Sequence, residues 1–313
     1  MVRSALKLGC KNCSKVTIHV YCSISLKKQL IISTLRSEDS VLITMNNAQG
    51  EMLAKYGSDC ICVDETHGLN DYDFEVTTLL VLDDMRQGFP CTFVISNRND
   101  SNVWSIFFNY VKSQVGQISP KVLMTDLAES YTIAWNETMG RTEMRLFCTW
   151  HVDIAWWANI KSKIRNLDKR KEMYKLVKSL MQVRDVVVCQ ESLALQKPNS
   201  DTETSEFGHY FKTYYEKNVK CWAYCHRMRS ELNTNMHLES MHKTLKYIRA
   251  KQVKRLDKGI SALMSLVTAK QFDWLIVNVK GKLTSKMKNI RRKCKPSIVM
   301  NRQRLGSTSH KIT

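Results

Sequence analysis

The sequence predicts an α/β fold, a mixed sheet with helices on its faces interrupted late by an all-helical insertion. Three observations carry this. Between Cys60 and Phe147, short apolar runs of strand length alternate with turns and with an amphipathic helix. From His151 to about Gln196, apolar residues recur only at three- and four-residue steps. A chain of 313 residues with 43% apolar content can bury one large core or two smaller ones.

The elements follow in order. Residues 1–57 read as a lead-in, with alternating Val16, Ile18 and Val20, an apolar run at 30–35 and a helix at about 48–56. Apolar runs at 61–63, 76–82 and 91–95 are three strands, and Asp83-Asp84 with Gln87-Gly88 is a hairpin connection that makes them antiparallel. Val103, Ile106, Phe107, Tyr110 and Val111 predict a helix over 103–115. Pro120 ends that pattern, and 121–124 is a fourth strand leading to Asp126. A helix at about 127–138 and a fifth strand at about 144–147 complete a β-β-β-α-β-α-β order.

In the helical stretch Met173, Leu176, Val177, Leu180 and Met181 form one stripe, and the polar run 199–205 reads as a linker. A further helix follows Asn233-Thr234-Asn235, any of which can cap it. Its buried face is expected to carry Leu238, Met241, Leu245 and Ile248, and its other face Glu239, His242, Lys243 and Lys246. The resulting division is 1–57 lead-in, 58–152 first part of the core, 153–230 helical insertion, 231–275 core-completing helices and 276–313 basic tail.

The net charge of +19 is concentrated at one end. From Ser240 onward there are 19 Lys and Arg against Asp257 and Asp273, a balance of +17, which leaves +2 for the first 239 residues. Such a field attracts polyanions, nucleic acid first, and Lys243, Lys246, Arg291, Arg292, Lys293 and Lys295 are the expected contacts. The plain alternative is a solvated basic tail. No run was read as approaching the roughly 20 apolar residues of a spanning helix, and no signal peptide is evident, so a membrane partner is not expected and an intracellular, nuclear location is. Eleven cysteines in such a chain are expected to be free thiols.

Three short words carry the chemistry: Cys-Val-Asp-Glu-Thr-His-Gly at 62–68, Met-Thr-Asp at 124–126 and Thr-Asn-Met-His-Leu-Glu at 234–239. Each sets a carboxylate where a strand ends or a helix begins. If the strands bearing Asp64 and Asp126 are neighbours, both carboxylates leave one sheet edge, and a packed helix can aim Glu239 at the same point. Three such groups can hold two divalent cations, Mg²⁺ or Mn²⁺, for in-line displacement at a phosphodiester. An Asp at a strand end is more often a turn or cap residue, which is the reading taken for Asp83 and Asp84, and Glu65 is taken as a neighbour of the site.

Together these words resemble those of Mutator-like element (MULE) transposases: Asp-x-Thr-His-Gly-x-Asn at 64–70, Thr-Asp at 125–126, Cys-x-x-His at Cys148 and His151, and Thr-Asn-x-x-x-Glu at 234–239 followed by Leu245-Lys246. The resemblance spans about 45–270. It implies an RNase H-like core with a five-stranded mixed sheet, a DDE triad of Asp64, Asp126 and Glu239, and an all-helical insertion before the Glu. It further implies metal-dependent DNA cleavage and 3′-hydroxyl strand transfer, with DNA as partner and a homo-oligomer on DNA. The alternative is a catalytically silent, truncated or host-adopted DNA-binding copy, because after Glu239 the only cysteine is Cys294, too few for the SWIM finger of complete members.

Cys148, His151 and His67 are auxiliary candidates. Cys148 and His151 have zinc-ligand spacing, with Cys221, Cys225 and His226 available as partners; the preferred reading has His151 orient DNA or a carboxylate and Cys148 pack in the core. Cys10, Cys13, His19 and Cys22 offer a second zinc set at spacings that match no familiar module. Trp150, Trp156, Trp157 and Trp222 could stack on unpaired bases, but the default is core, above all for Trp156 or Trp157.

Overall fold

The computed structural model describes residues 18–22, 29–30, 39–195, 202–230, 236–252 and 255–280. Two compact units are present, Met1–Ala262 and Leu263–Thr313.

The first unit is built on one sheet. Its strands are β1 (Ile18–Cys22), β2 (Gln29–Leu30), β3 (Val41–Met45), β4 (Cys60–Thr66), β5 (Glu75–Leu82), β6 (Gly88–Ser96), β7 (Val122–Thr125) and β8 (Met144–Phe147), in the order β2-β1-β3-β6-β5-β4-β7-β8. The predicted hairpin and the three antiparallel strands β4, β5 and β6 are present, and β7 and β8 add to β4 in parallel. The sheet is wider than the five strands expected, because β3 pairs with β6. The segment Val-Leu-Ile-Thr-Met of β3 is buried at four of five positions, so it lacks the polar alternation that marks a half-buried strand.

Burial on both faces also explains the centre of the sheet, where all nine residues of β6 are buried. Pro90 has no N–H for the ladder, and it sits where the β5–β6 register shifts between Leu79 and Leu80. Its carbonyl accepts a buried bond from the Gln49 side chain at 3.0 Å. The hairpin turn is closed by Asp83, whose carboxylate accepts from the N–H groups of Met85 and Gln87, as its turn assignment requires.

Three helices accompany the sheet: α1 (Asn47–Tyr56), α2 (Ser101–Val115) and α3 (Glu129–Thr138). Asn46 and Gln49 form a reciprocal capping box on α1, and Asp100 caps α2. Trp104 with Tyr131 and Phe108 with Trp135 join α2 to α3.

After β8 the described residues are helical: α4 (Thr149–Lys163), α5 (Leu167–Gln182), α6 (Val186–Leu195), α7 (Thr202–Tyr214), α8 (Val219–Trp222), α9 (Tyr224–Arg227), α10 (Met236–Gln252) and α11 (Leu256–Lys280). The expected linker at 199–205 is partly wrong, since Thr202 to Ser205 begin α7; the rest lies outside the described residues. Val152, Trp156, Ile160, Val177, Leu180, Phe207, Tyr215 and Trp222 form a second core. Trp156 meets Tyr215 and Trp222 edge-on, so it is the core residue expected, whereas Trp157 is 39% exposed. The buried Arg227 guanidinium donates to the Phe147 carbonyl at 3.0 Å, tying α9 to the end of β8.

One expectation about composition needs correction. Leu256–Val279 is long and apolar enough to cross a membrane, with a mean hydropathy of 1.3, although the core helix of a soluble protein can meet the same criterion.

Candidate metal centre

The site begins with register. Cys62 of β4 lies opposite Met124 of β7 in a parallel ladder, so Asp64 and Asp126, each two residues further on, reach the same edge. Asp64 is also opposite Thr78 of β5, which holds its strand between two neighbours. It is 3% exposed, and its Oδ2 has no hydrogen-bond partner.

Helix α10 packs on β4 and supplies the other side. Leu238, Met241 and Leu245 are buried as predicted, while the Ile248 side chain lies outside the described residues. The close seating of this helix depends on Gly88 at the start of β6: a Cβ built there would lie 2.5 Å from the His237 Cβ. Arg86, in the left-handed region at φ 56°, reaches from the hairpin turn to the Ser230 carbonyl at 3.4 Å and pairs with Asp59 at 2.7 Å.

Helix α4 supplies the third part. Cys148 caps it, buried, and its N–H donates to the Thr125 carbonyl at 3.1 Å, so the helix start is fastened to the end of β7. One turn later His151 enters the site, its Nε2 3.0 Å from Glu239 Oε1 and its Nδ1 3.9 Å from Asp64 Oδ1. Donor atoms of Asp64, His151 and Glu239 all lie within 4.8 Å of one another. This is the group among the described residues whose spacing could hold a metal ion.

Asp126 is not in that group. Its Oδ1 accepts from the Ala128 N–H at 2.9 Å, a turn bond at the entry to α3, yet its charge still acts on Asp64 and Glu65. His242 was assigned to the polar face of its helix, but it is 4% exposed and faces Asp64, with Nδ1 3.6 Å from Oδ2. The signal that could have found it is its position three residues after Glu239, on the same helix face.

Electrostatics follow from this crowding. Burial first, then the charges of Glu239, Asp126 and Glu65, push Asp64 up to about 9. Burial, with Lys246 and His151 nearby, pulls His242 down to about 4. A buried carboxyl that resists ionisation beside a neutral imidazole, with Asp64 Oδ2, His151 Nδ1 and His242 Nε2 all unpartnered, is a site whose donors suit a cation.

The remaining candidates are dispersed. His67 is exposed between Glu65 at 3.8 Å and Glu75 at 3.6 Å, and Glu65 accepts from the Tyr131 hydroxyl at 3.1 Å. Lys243 and Lys246 are exposed on α10. Among the described residues Cys148 and His151 do not gather a zinc set with Cys221, Cys225 and His226; Cys225 instead makes a thiol hydrogen bond with Cys189, both being free cysteines, and Cys148 lies near Cys62. The Cys10, Cys13, His19 and Cys22 side chains and Arg291, Arg292, Lys293 and Lys295 lie outside the described residues.

Residues 60–153 match the family model of the MULE transposase domain, a span that holds Asp64, Asp126, Cys148 and His151 and ends before Glu239 and His242. No curated protein matches the chain.

Proposed function

We propose that the chain, whose residues 60–153 match the MULE transposase domain, is a transposon-derived DDE transposase core of RNase H-like type, with α4 to α9 as the insertion before the third carboxylate. It would cleave a DNA strand at a transposon end and join the freed 3′-hydroxyl to target DNA. The observation that carries this reading is the convergence of Asp64 from β4 and Glu239 from α10, with Asp126 level with Asp64 on the adjoining strand.

Asp64, Glu239 and His151 would hold a divalent ion, and Asp126 is the further carboxylate available to a second. When bound, such ions activate the attacking water or hydroxyl and stabilise the leaving oxygen. The chain's own residues set up that state. His151 orients Glu239 through the 3.0 Å contact of its Nε2, and His242, its value held low by burial, backs the inner face of Asp64 without adding positive charge. A donor set containing imidazole favours Mn²⁺ over Mg²⁺ in the vacant-ligand competition, because Mg²⁺ prefers oxygen.

The test is Mn²⁺-dependent nicking of supercoiled plasmid by the full chain, beside Asp64→Asn and Glu239→Gln. Nicking by the parent alone supports the reading. DNA binding without nicking by any form would instead support a silent DNA-binding copy.

A further inference from the structure

Helix α4 has two apolar faces. Val152, Trp156 and Ile160 point into the second core. Trp150, Ile154 and Trp157, also spaced by four and three residues, form a second stripe and are 45%, 47% and 39% exposed. Lys161 continues this stripe one turn on, its Nζ 5.6 Å from the Trp157 ring. Tyr174 of α5 flanks it, 5.1 Å from Trp157, with Lys178 5.9 Å from the Tyr174 ring.

We propose that this face, from Trp150 to Lys161 with Tyr174 beside it, is a docking track for unpaired nucleotides of the DNA strand next to the cleavage site. The inference rests on the reading of the metal centre as a DNA-cleaving site.

Two features select this occupant. The first is continuity: Trp150 packs against His151 at 5.0 Å between rings, so the track starts at a residue of the centre itself. Its far end, eleven residues on at Lys161, is about 16 Å away along the helix, a span of a few nucleotides. The second is charge. Residues 149–182 carry eight Lys and Arg against Asp153, Asp168 and Glu172, a balance of +5 in which Lys178 pairs with Asp153 at 2.9 Å and Lys169 with Glu203 at 3.0 Å, and none of these bases touches the centre. Flat rings interleaved with ammonium groups suit bases and phosphates of a single strand, whose faces are open; in a duplex the faces are stacked inside. A duplex would use the lysines and leave the rings idle.

The experiment measures binding of the full chain in EDTA to a fluorescent oligo-dT of twenty nucleotides and to a duplex of equal length, for the parent, Trp157→Ala, Trp157→Phe and Trp150→Ala. Base stacking on an aromatic ring is worth about 1–3 kcal/mol, so each alanine variant should lose about fivefold to about 150-fold in single-strand affinity. Duplex affinity should change less than about twofold, and Trp157→Phe should recover most of the loss. Near-ultraviolet circular dichroism checks that the fold is kept, which the exposure of Trp157 leads one to expect. Equal losses on both DNAs, or none on either, overturn the proposal. So does altered self-association with unchanged DNA binding, which would make the face a protein interface. Because metal is absent from the assay, failure of plasmid nicking with retained single-strand selectivity would count against the transposase reading and leave the track standing.

Discussion

The two sides of the candidate metal centre are held in different ways. Asp64 stands in a strand flanked by β5 and β7, paired with Thr78 on one edge and two residues beyond the last β7 pair, Cys62 with Met124, on the other. Glu239 stands on a helix that packs on β4 and is located by the contact of His237 on Gly88, with Arg86 reaching the chain before it. One side is set by backbone hydrogen bonding, the other by a few side-chain contacts. The difference means that the carboxylate on the sheet is rigid while the one on the helix can be misplaced without unfolding the protein.

The largest expected effect treats both sides alike. Asp64→Asn and Glu239→Gln should each reduce Mn²⁺-dependent nicking by about a thousandfold or more, since each removes a charge worth several kcal/mol to the transition state. Near-parental activity in either would break the equivalence of the two carboxylates.

Gly88→Ala separates the sides. The added Cβ meets the His237 Cβ, so α10 must shift, at a cost of about 1–3 kcal/mol typical of overpacking. Mn²⁺ affinity measured by calorimetry should fall about tenfold, on the scale of supporting residues of a metal site. Gly116→Ala is the control: at φ 80° and ψ −172° it costs about 1–3 kcal/mol of stability with open space around it, and metal affinity should be unchanged. Equal affinities for the two variants would mean that the helix is not located by this contact.

The pH dependence sharpens the rigid side. The folded-state value for Asp64, about 9, is far above its ordinary 3.8, so its contribution to stability is complete at low pH and is lost as pH rises toward 9. His242 acts in the opposite sense, because its folded value of about 4 lies below 6.5; its contribution is present above 6.5 and lost as pH falls toward 4. Of these two groups, only Asp64 has its folded-state value above pH 6.5. The Tm of metal-free protein should decline from pH 6.5 to 9, and saturating Mn²⁺ should remove the decline as binding expels the proton. A flat metal-free profile would place the Asp64 value near that of an ordinary carboxylate.

The smallest effect is on the outer clasp of α10. Arg86→Ala should cost at most about 1 kcal/mol, since its pair with Asp59 is exposed, and should weaken Mn²⁺ binding less than Gly88→Ala does. The reverse order would make the hairpin turn, rather than the strand start, the locator.

Local pattern carried much of the fold. Apolar runs gave five of the strands, Asp83 gave the hairpin, and the neighbouring ends of β4 and β7 put Asp64 and Asp126 level, as the sequence reading had supposed. Burial on both faces concealed β3 within the lead-in. The Cys-x-x-His word was legible as a unit, and the structure divides its labour: Cys148 packs at the helix start and His151 faces Glu239. Of the two adjacent tryptophans, periodicity could assign one to the core but not choose which, because each belongs to an apolar stripe at helical spacing, Val152-Trp156-Ile160 or Trp150-Ile154-Trp157.

By itself the sequence determined which segments are strands and helices, where the carboxylates stand along them and where the positive charge lies, because these depend on neighbours a few residues away. Only the tertiary structure decided that His242 turns inward to Asp64, that His151 stands with Asp64 and Glu239 while Asp126 bonds to Ala128, and that Trp157 faces outward. Those outcomes depend on the rotation and distance at which a helix meets the sheet or its neighbours. That seating is set by contacts such as His237 on Gly88, 149 residues apart in sequence, which no local periodicity records.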